Sequence, residues 1–431
     1  MNKLKNIWYV HPYAGGPGIG RYSRPYFLAR YWQDKGVRST VFSPSYHHLL
    51  DAPQGAGSRT VGDVPYEFIE CPSYTGNGVG RLRNMFAFTW HLFRQAKTYE
   101  SRNGRPDVII ASSPHPYAFL ATHALARKFG AVSVFEVRDL WPLSLVELAG
   151  ASANHPFVRF TGWLERYAYR NADHVVSLLP LTLDHMIQRG LHPARWSYIP
   201  NGVDVEETFQ VDSTHPAVAL ASQWRTEGHV IVVYAGALGR PNHLDSLVRA
   251  VSRLKSVGQS NVRAVIAGRG EQEHELKQLA INLKLTNEVV FFGQIPKNAV
   301  HGLLQIADVG YISLRPEPLF RFGVSPNKLF DYMLAGLPIV FAVDSGNDPV
   351  SESGCGIKVS PDDLDGIADA LSKISAMSES ARADMGKRGR QYALGLHTYG
   401  NLASAYLETL SHLCNHTTTS TLELDKSTPS R

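Results

Sequence analysis

The chain has only three cysteines in 431 residues, Cys71, Cys355 and Cys414, far apart and odd in number. That spacing fits neither a disulfide framework nor a CxxC-type zinc site, and it suits a reducing compartment. No apolar run approaches the roughly 20 residues that a spanning helix needs. The apolar part of the opening MNKLKNIWYVHPY is too short for a signal peptide. The expectation is a cytoplasmic protein. Neither sign of charge dominates, with 43 Lys+Arg against 38 Asp+Glu, and no DNA- or RNA-binding motif occurs. A 44% hydrophobic, 19% charged composition also excludes a disordered or collagen-like chain.

What is present is length for more than one core, since a single core stops growing near about 250–300 residues. The charge is uneven. Residues 1–200 carry 22 Lys+Arg and 13 Asp+Glu, whereas residues 201–431 carry 21 and 25. A basic first half suits an anionic partner such as a membrane surface or a phosphorylated substrate.

Short apolar runs alternate with helical spacing throughout. Strands are expected at 6–10, 37–43, 107–111, 132–137 and 174–178, then at 229–235, 263–267, 288–292, 309–313 and 338–342. The helical patterns between them predict parallel sheets covered on both faces. The turn-rich Ile199-Pro-Asn-Gly-Val-Asp204 divides the halves. The expected fold is α/β, with one doubly wound sheet over 1–200 and a second over 201–395. Residues 396–414 should form a helix, and the Thr- and Ser-rich 415–431 should lack regular structure. Ligands of such sheets sit outside the carboxyl ends of the strands. Chemistry is therefore sought in the loops at 11–20, 112–116, 138–142, 236–241, 268–271, 293–297 and 314–328.

The strongest local signal runs from Phe320 to Val340. Ser325 suits a helix cap and Pro326 the first helical position. The first-turn amides and the dipole then form an anion site. Lys328 in that turn is unfavourable for an isolated helix, but it makes sense beside a phosphate. Asp331, on the same face, can accept hydrogen bonds from a ribose diol; a solvated Lys–Asp pair is the plain alternative. His115 follows the 107–111 strand between Pro114 and Pro116 and either lines a ligand site or is structural. Asp139, in Arg138-Asp-Leu-Trp-Pro142, is either a base or a structural ion pair or cap, with Arg138 and Glu136 as alternates. Asp363-Leu-Asp365 opens a helical run after Ser360-Pro361 and reads as capping rather than as a metal site. No metal or other cofactor is expected.

Taken together, the glycine loop 11–20, Arg138–Pro142, Ile199–Asp204, Tyr234-Ala-Gly236, Phe292-Gly-Gln-Ile-Pro296 and Ser325–Met333 resemble the family 4 retaining glycosyltransferases of the GT-B fold. Among these the chain is similar to bacterial polysaccharide enzymes that transfer amino-sugars such as N-acetyl-fucosamine. The resemblance implies two Rossmann-like domains facing across a cleft, the first binding the acceptor and the second a nucleotide sugar. The 396–414 helix would cross back to the first domain. Donor binding would fall to Ser325, Asn327, Lys328, Asp331, Ile295, Gly16 and Gly18, and catalysis to Asp139 and His115.

The sequence departs from the family at three places. The first of the family's two glutamates falls at Gly323, and its paired basic residues fall at Ala237 and Asn242. The pyrophosphate must then find charge elsewhere, with Lys328 the first candidate and Arg240 and Arg321 behind it. The implied reaction transfers a sugar with retention, from a donor that is most simply a UDP-sugar, to a hydroxyl of a glycan or polyprenyl-diphosphate-linked acceptor in surface polysaccharide assembly. A GT-B epimerase or hydrolase and a non-catalytic nucleotide-sugar binder are the rivals. Arg81, Arg83, Arg94 and Lys97, set among aromatics in 80–97, suit either a core helix with a solvated edge or contact with the inner face of the cell membrane.

Overall fold

Valine- and isoleucine-rich runs of four to six residues, buried on both faces, build two parallel sheets. A computed structural model describes residues 4–76, 78–206 and 211–425. The chain divides into two units. One runs to Asn201 and resumes at Tyr399; the other spans Gly202–Thr398.

The first unit holds β1 (Asn6–Val10), β2 (Arg38–Pro44), β3 (Gly57–Val61), β4 (Val64–Ile69), β5 (Val108–Ser112), β6 (Val132–Val137), β7 (His174–Ser177) and β8 (Trp196–Tyr198). Their order across the sheet is β3-β4-β2-β1-β5-β6-β7-β8, parallel except for β3. Alternate residues of β1 enter opposite cores: Ile7 and Tyr9 on one face, Trp8 and Val10 on the other. The Tyr399–Asp425 helix belongs to this unit. Tyr399 stacks on Phe27, and Trp32 Nε1 donates to the Ala403 carbonyl at 3.2 Å. This helix continues through 415–425, where irregular structure was expected. The remainder of that tail, 426–431, lies outside the described residues.

The β3–β4 hairpin was not anticipated. Its turn is Gly62-Asp63, and Gly62 has a φ of 57° that suits glycine. A Cβ there would sit 2.6 Å from the Tyr26 hydroxyl.

The second unit holds β9 (Val230–Ala235), β10 (Val262–Ala267), β11 (Val289–Gly293), β12 (Val309–Ser313), β13 (Ile339–Ala342) and β14 (Gly356–Val359), ordered β11-β10-β9-β12-β13-β14 and all parallel. Ile231 and Val233 of β9 pack into one core, and Val230, Val232 and Tyr234 into the other. Each such fully buried aliphatic contributes about 1.5–3 kcal/mol. The chain leaves the central strand in opposite directions between β1 and β5 and between β9 and β12. The loops at those two switch points are therefore where a ligand has room.

Candidate functional site

In the second unit, glycines bring three loops together at the strand ends. Gly236 donates to the Ala267 carbonyl and Gly268 to that of Gly293. Gly268 has a φ of 148°, and a Cβ on it would lie 1.7 Å from the Gly236 carbonyl oxygen. No side chain can occupy that position.

Lys328 reaches this point from the second position of the Asn327–Leu334 helix. Its ammonium donates to the Tyr234 hydroxyl and to Asn242 Oδ1, each at 2.8 Å, and lies 4.3 Å from the Tyr234 ring centre. Among the described residues no carboxylate contacts it. Lys328 is half-buried, and desolvation lowers its pKa to about 7. Gly236 makes the approach possible, since a Cβ there would come within 3.2 Å of the ammonium.

The helix start differs from expectation. Pro326 is the cap residue, Asn327 opens the helix, and no side chain among the described residues caps it. Ser325 is therefore not the cap. Asn347 holds Val324 by both its amide (2.8 Å) and its carbonyl (3.0 Å), and Pro326 stays extended at a ψ of 129°. Lys328 consequently sits beside uncapped first-turn amides, adding positive charge to positive dipole. Asp331 lies one turn on along the same helix, half-buried.

Other sequence-derived candidates divide. Arg240 is exposed in a short turn whose carbonyl accepts from Arg315. Arg321 bonds the Pro318 carbonyl and stacks on Phe322, so it serves its own turn. Asn327 is exposed, and Ile295 packs partly buried against the core. Gly323 has a φ of 97°, a backbone state that disfavours the glutamate of the resembling family. Asp363 caps the Leu364–Ser375 helix, as its capping reading required, whereas Asp365 pairs with Arg253 instead. Among the described residues no group of three or more His, Cys, Asp or Glu could hold a metal.

In the first unit the glycine loop is braced on itself. The Gly16 amide donates to the Gly20 carbonyl and the Gly15 amide to that of Tyr22. The Gly16 amide is thus engaged within the loop. Gly18, at a φ of 71°, is exposed at the tip.

His115 is buried among Tyr13, Tyr117 and Trp141, with neither ring nitrogen hydrogen-bonded among the described residues. Burial, reinforced by Arg81, lowers its pKa to about 3. It is neutral at physiological pH and too weak a base for proton abstraction, and both ring nitrogens are enclosed. Asp139 is exposed just after β6, its amide 3.4 Å from Ser113 Oγ.

Glu136 is not available as a base. It pairs with Arg24 at 3.0 Å and accepts from Tyr9 (2.6 Å), Ser112 (2.7 Å) and Tyr406 (3.2 Å). Burial raises its pKa, but Arg24 and these hydroxyls outweigh that and hold it below the ordinary value.

Sequence reading missed His11, at the end of β1. Its Nε2 lies 3.1 Å from an Arg138 guanidinium nitrogen, and its ring stacks on Tyr22, over which Arg138 also sits at 3.6 Å. Burial, then Arg138, keeps it neutral. Its place at a strand's carboxyl end was the available signal. Asn242 was read as a lost basic residue, whereas its carbonyl oxygen positions Lys328.

Comparison with known proteins fits this geometry. Residues 18–202 match the glycosyl transferase 4-like domain and residues 221–392 match glycosyl transferases group 1. Among curated relatives, the phosphatidylinositol N-acetylglucosaminyltransferase gpi3 subunit of Schizosaccharomyces pombe is 26% identical over 273 residues, 63% of this chain and 54% of that one. The chain spans only 35–54% of the length of the curated relatives it matches. Among solved structures, sucrose-phosphate synthase of Thermosynechococcus elongatus superposes with a TM-score of 0.72 at 18% identity, covering 95% of this chain and 99% of that one. HepE of Anabaena in complex with UDP gives 0.66 at 18% identity, covering 95% and 100%. The first unit thus carries the glycosyl transferase 4-like match and the second the glycosyl transferases group 1 match, in a fold of two Rossmann-like α/β domains.

Proposed function

We infer that the chain transfers a sugar from a UDP-sugar, with retention, to a hydroxyl of a glycan or lipid-linked acceptor in surface polysaccharide assembly. One observation carries the donor assignment: Lys328 is a half-buried cation whose partners are all neutral, set at the positive end of a helix. A diphosphate supplies the missing negative charge. Asp331 takes the ribose diol. The UDP complex of HepE and the N-acetylglucosaminyltransferase name of the fission-yeast relative support this reading.

In the reaction the bond from the anomeric carbon to the diphosphate breaks as the bond to the acceptor oxygen forms. The acceptor proton passes to the departing diphosphate, and no protein nucleophile is needed. Lys328 and the first-turn amides stabilise the charge gathering on the leaving group. His115, neutral, and Asp139 orient the acceptor hydroxyl in the first unit.

The test is thermal stability with UDP, GDP, ADP and dTDP, on the wild type, Lys328→Met and Asp331→Ala. UDP at 100 times its dissociation constant should add about 2.7 kcal/mol to the wild type and much less to either variant. Absence of nucleotide binding, or UDP binding indifferent to both substitutions, overturns the assignment. Release of UDP from a UDP-sugar only when acceptor is present separates transfer from hydrolysis.

A further inference from the structure

Two neighbouring helices of the first unit expose aromatic rings to solvent. On Val79–Arg94 the outward positions are Val79, Arg83, Phe86, Trp90 and Phe93, with Lys97 just beyond. Trp90 is 59% exposed. On Pro156–Asn171 they include Arg159, Phe160, Trp163 and Arg170, with Trp163 51% exposed. Single exposed apolar residues are ordinary, whereas a continuous aromatic surface marks an interaction face.

The two stripes are joined beneath the surface by a buried ring. Tyr117 lies 5.5 Å from Phe86 and 6.3 Å from Phe160, ring centre to ring centre, and Phe160 stacks on Trp163 at 6.2 Å. Tyr117 also touches His115 at 5.0 Å. The exposed face is thus one ring away from the histidine assigned to the acceptor.

The outward charges of these two helices have one sign. Residues 79–97 contain no Asp or Glu. The only acid of the second helix, Glu165, is turned inward and faces His185 and Arg189. Aromatic side chains flanked by arginine and lysine suit the interface of a bilayer rich in anionic lipid, where each basic residue near the surface adds attraction. Among the described residues no helix is long and apolar enough to cross a membrane, so this face would lie on one.

We propose that the Phe86–Trp90–Phe93 and Phe160–Trp163 face seats the first unit on an anionic lipid bilayer and that the acceptor is lipid-borne. The proposal rests on the transferase reading and selects one of its two acceptor classes. The ring contacts from Phe86 and Phe160 through Tyr117 to His115 place the headgroup layer beside the acceptor residues. A soluble glycan would need no such surface.

The full chain is sedimented with vesicles of phosphatidylcholine alone and with 30% phosphatidylglycerol, while tryptophan emission is recorded. Binding to the anionic vesicles at least tenfold stronger than to the neutral ones is expected, weakening with salt and accompanied by a blue shift from Trp90 and Trp163. A Trp90→Glu, Trp163→Glu double variant should lose at least tenfold in vesicle binding, with its melting temperature and UDP-induced stabilisation unchanged. An Arg83→Gln, Lys97→Gln, Arg159→Gln variant should lose the preference for anionic lipid and keep the fold. Equal binding of wild type and both variants, or no vesicle binding at all, overturns the proposal. So does light scattering that shows a wild-type dimer dissociating in the tryptophan variant, which would give the face to a second copy. UDP stabilisation reports on the donor site throughout, so loss of the transferase reading is seen separately.

Discussion

Beside the first sheet's switch point the buried cation, Arg24, meets a carboxylate at 3.0 Å and also donates to the Ile199 and Pro200 carbonyls. At the second sheet's switch point Lys328 meets a phenol and an amide oxygen. Both cations are taken from water, but only one is neutralised by the protein. A buried charge with its counter-charge in place holds structure together. A desolvated charge left among neutral groups is prepared for a ligand that brings the counter-charge.

The sharpest way to break this contrast is Glu136→Ala. It strands Arg24 in the core and should cost about 3–5 kcal/mol, read by urea denaturation, with UDP affinity per folded molecule unchanged. Lys328→Met should behave in the opposite way. Its stability should stay within about 1 kcal/mol of wild type, while UDP affinity by calorimetry falls about 10- to 150-fold, as for a hydrogen bond to a charged group worth about 1.5–3 kcal/mol. If Lys328→Met instead destabilises the protein as strongly as Glu136→Ala and leaves UDP affinity per folded molecule unchanged, the two cations are alike and the contrast fails.

The pH dependence sharpens it further. Free Lys328, with its pKa lowered to about 7, is largely neutral above that pH. A diphosphate favours the ammonium and raises that pKa again, so binding takes up a proton. UDP affinity should weaken as pH rises above about 7, approaching about tenfold per unit, and the slope should vanish in Lys328→Met. The same lowered pKa disfavours the unliganded fold below the ordinary lysine value, most fully below about 7, and that penalty fades as pH rises toward 10.5. The smallest effect concerns His115→Phe. Removing two unpartnered ring nitrogens should leave stability within about 1 kcal/mol, while the acceptor KM rises and UDP affinity holds.

The alternation of strands and helices was legible because every central strand is buried on both faces and reads as an apolar run. Most of the elements missed lie at the edges: β3 is largely exposed and polar, β8 is three residues long, and β14 is only half-buried. The exception is β4, an interior and largely buried strand whose apolar run is interrupted by Pro65 and Glu67. Lys328 could be found because a cation in a first turn is locally unfavourable and so invites a reason. Asn242 could not, because its role depends on which loops become neighbours, and His11 offered only its place at a strand's carboxyl end, since its contact with Arg138 comes from a distant strand. Pro326 shows the limit of local capping rules: it stays extended two residues after the Asn347 contacts to Val324, and the helix starts one residue later than expected.

The Tyr399–Asp425 helix also bears on how the chain folds as it is made. Tyr406 donates to Glu136 across 270 residues of sequence, and Trp32 to Ala403 across 371. The second unit, Gly202–Thr398, has all its strands before that helix is synthesised. At about 5–20 residues per second the ribosome needs about 10–40 s to traverse it. During that interval the first unit lacks the helix that covers Trp32 and contacts Glu136. Vectorial synthesis therefore completes the unit that begins second before the unit that begins first.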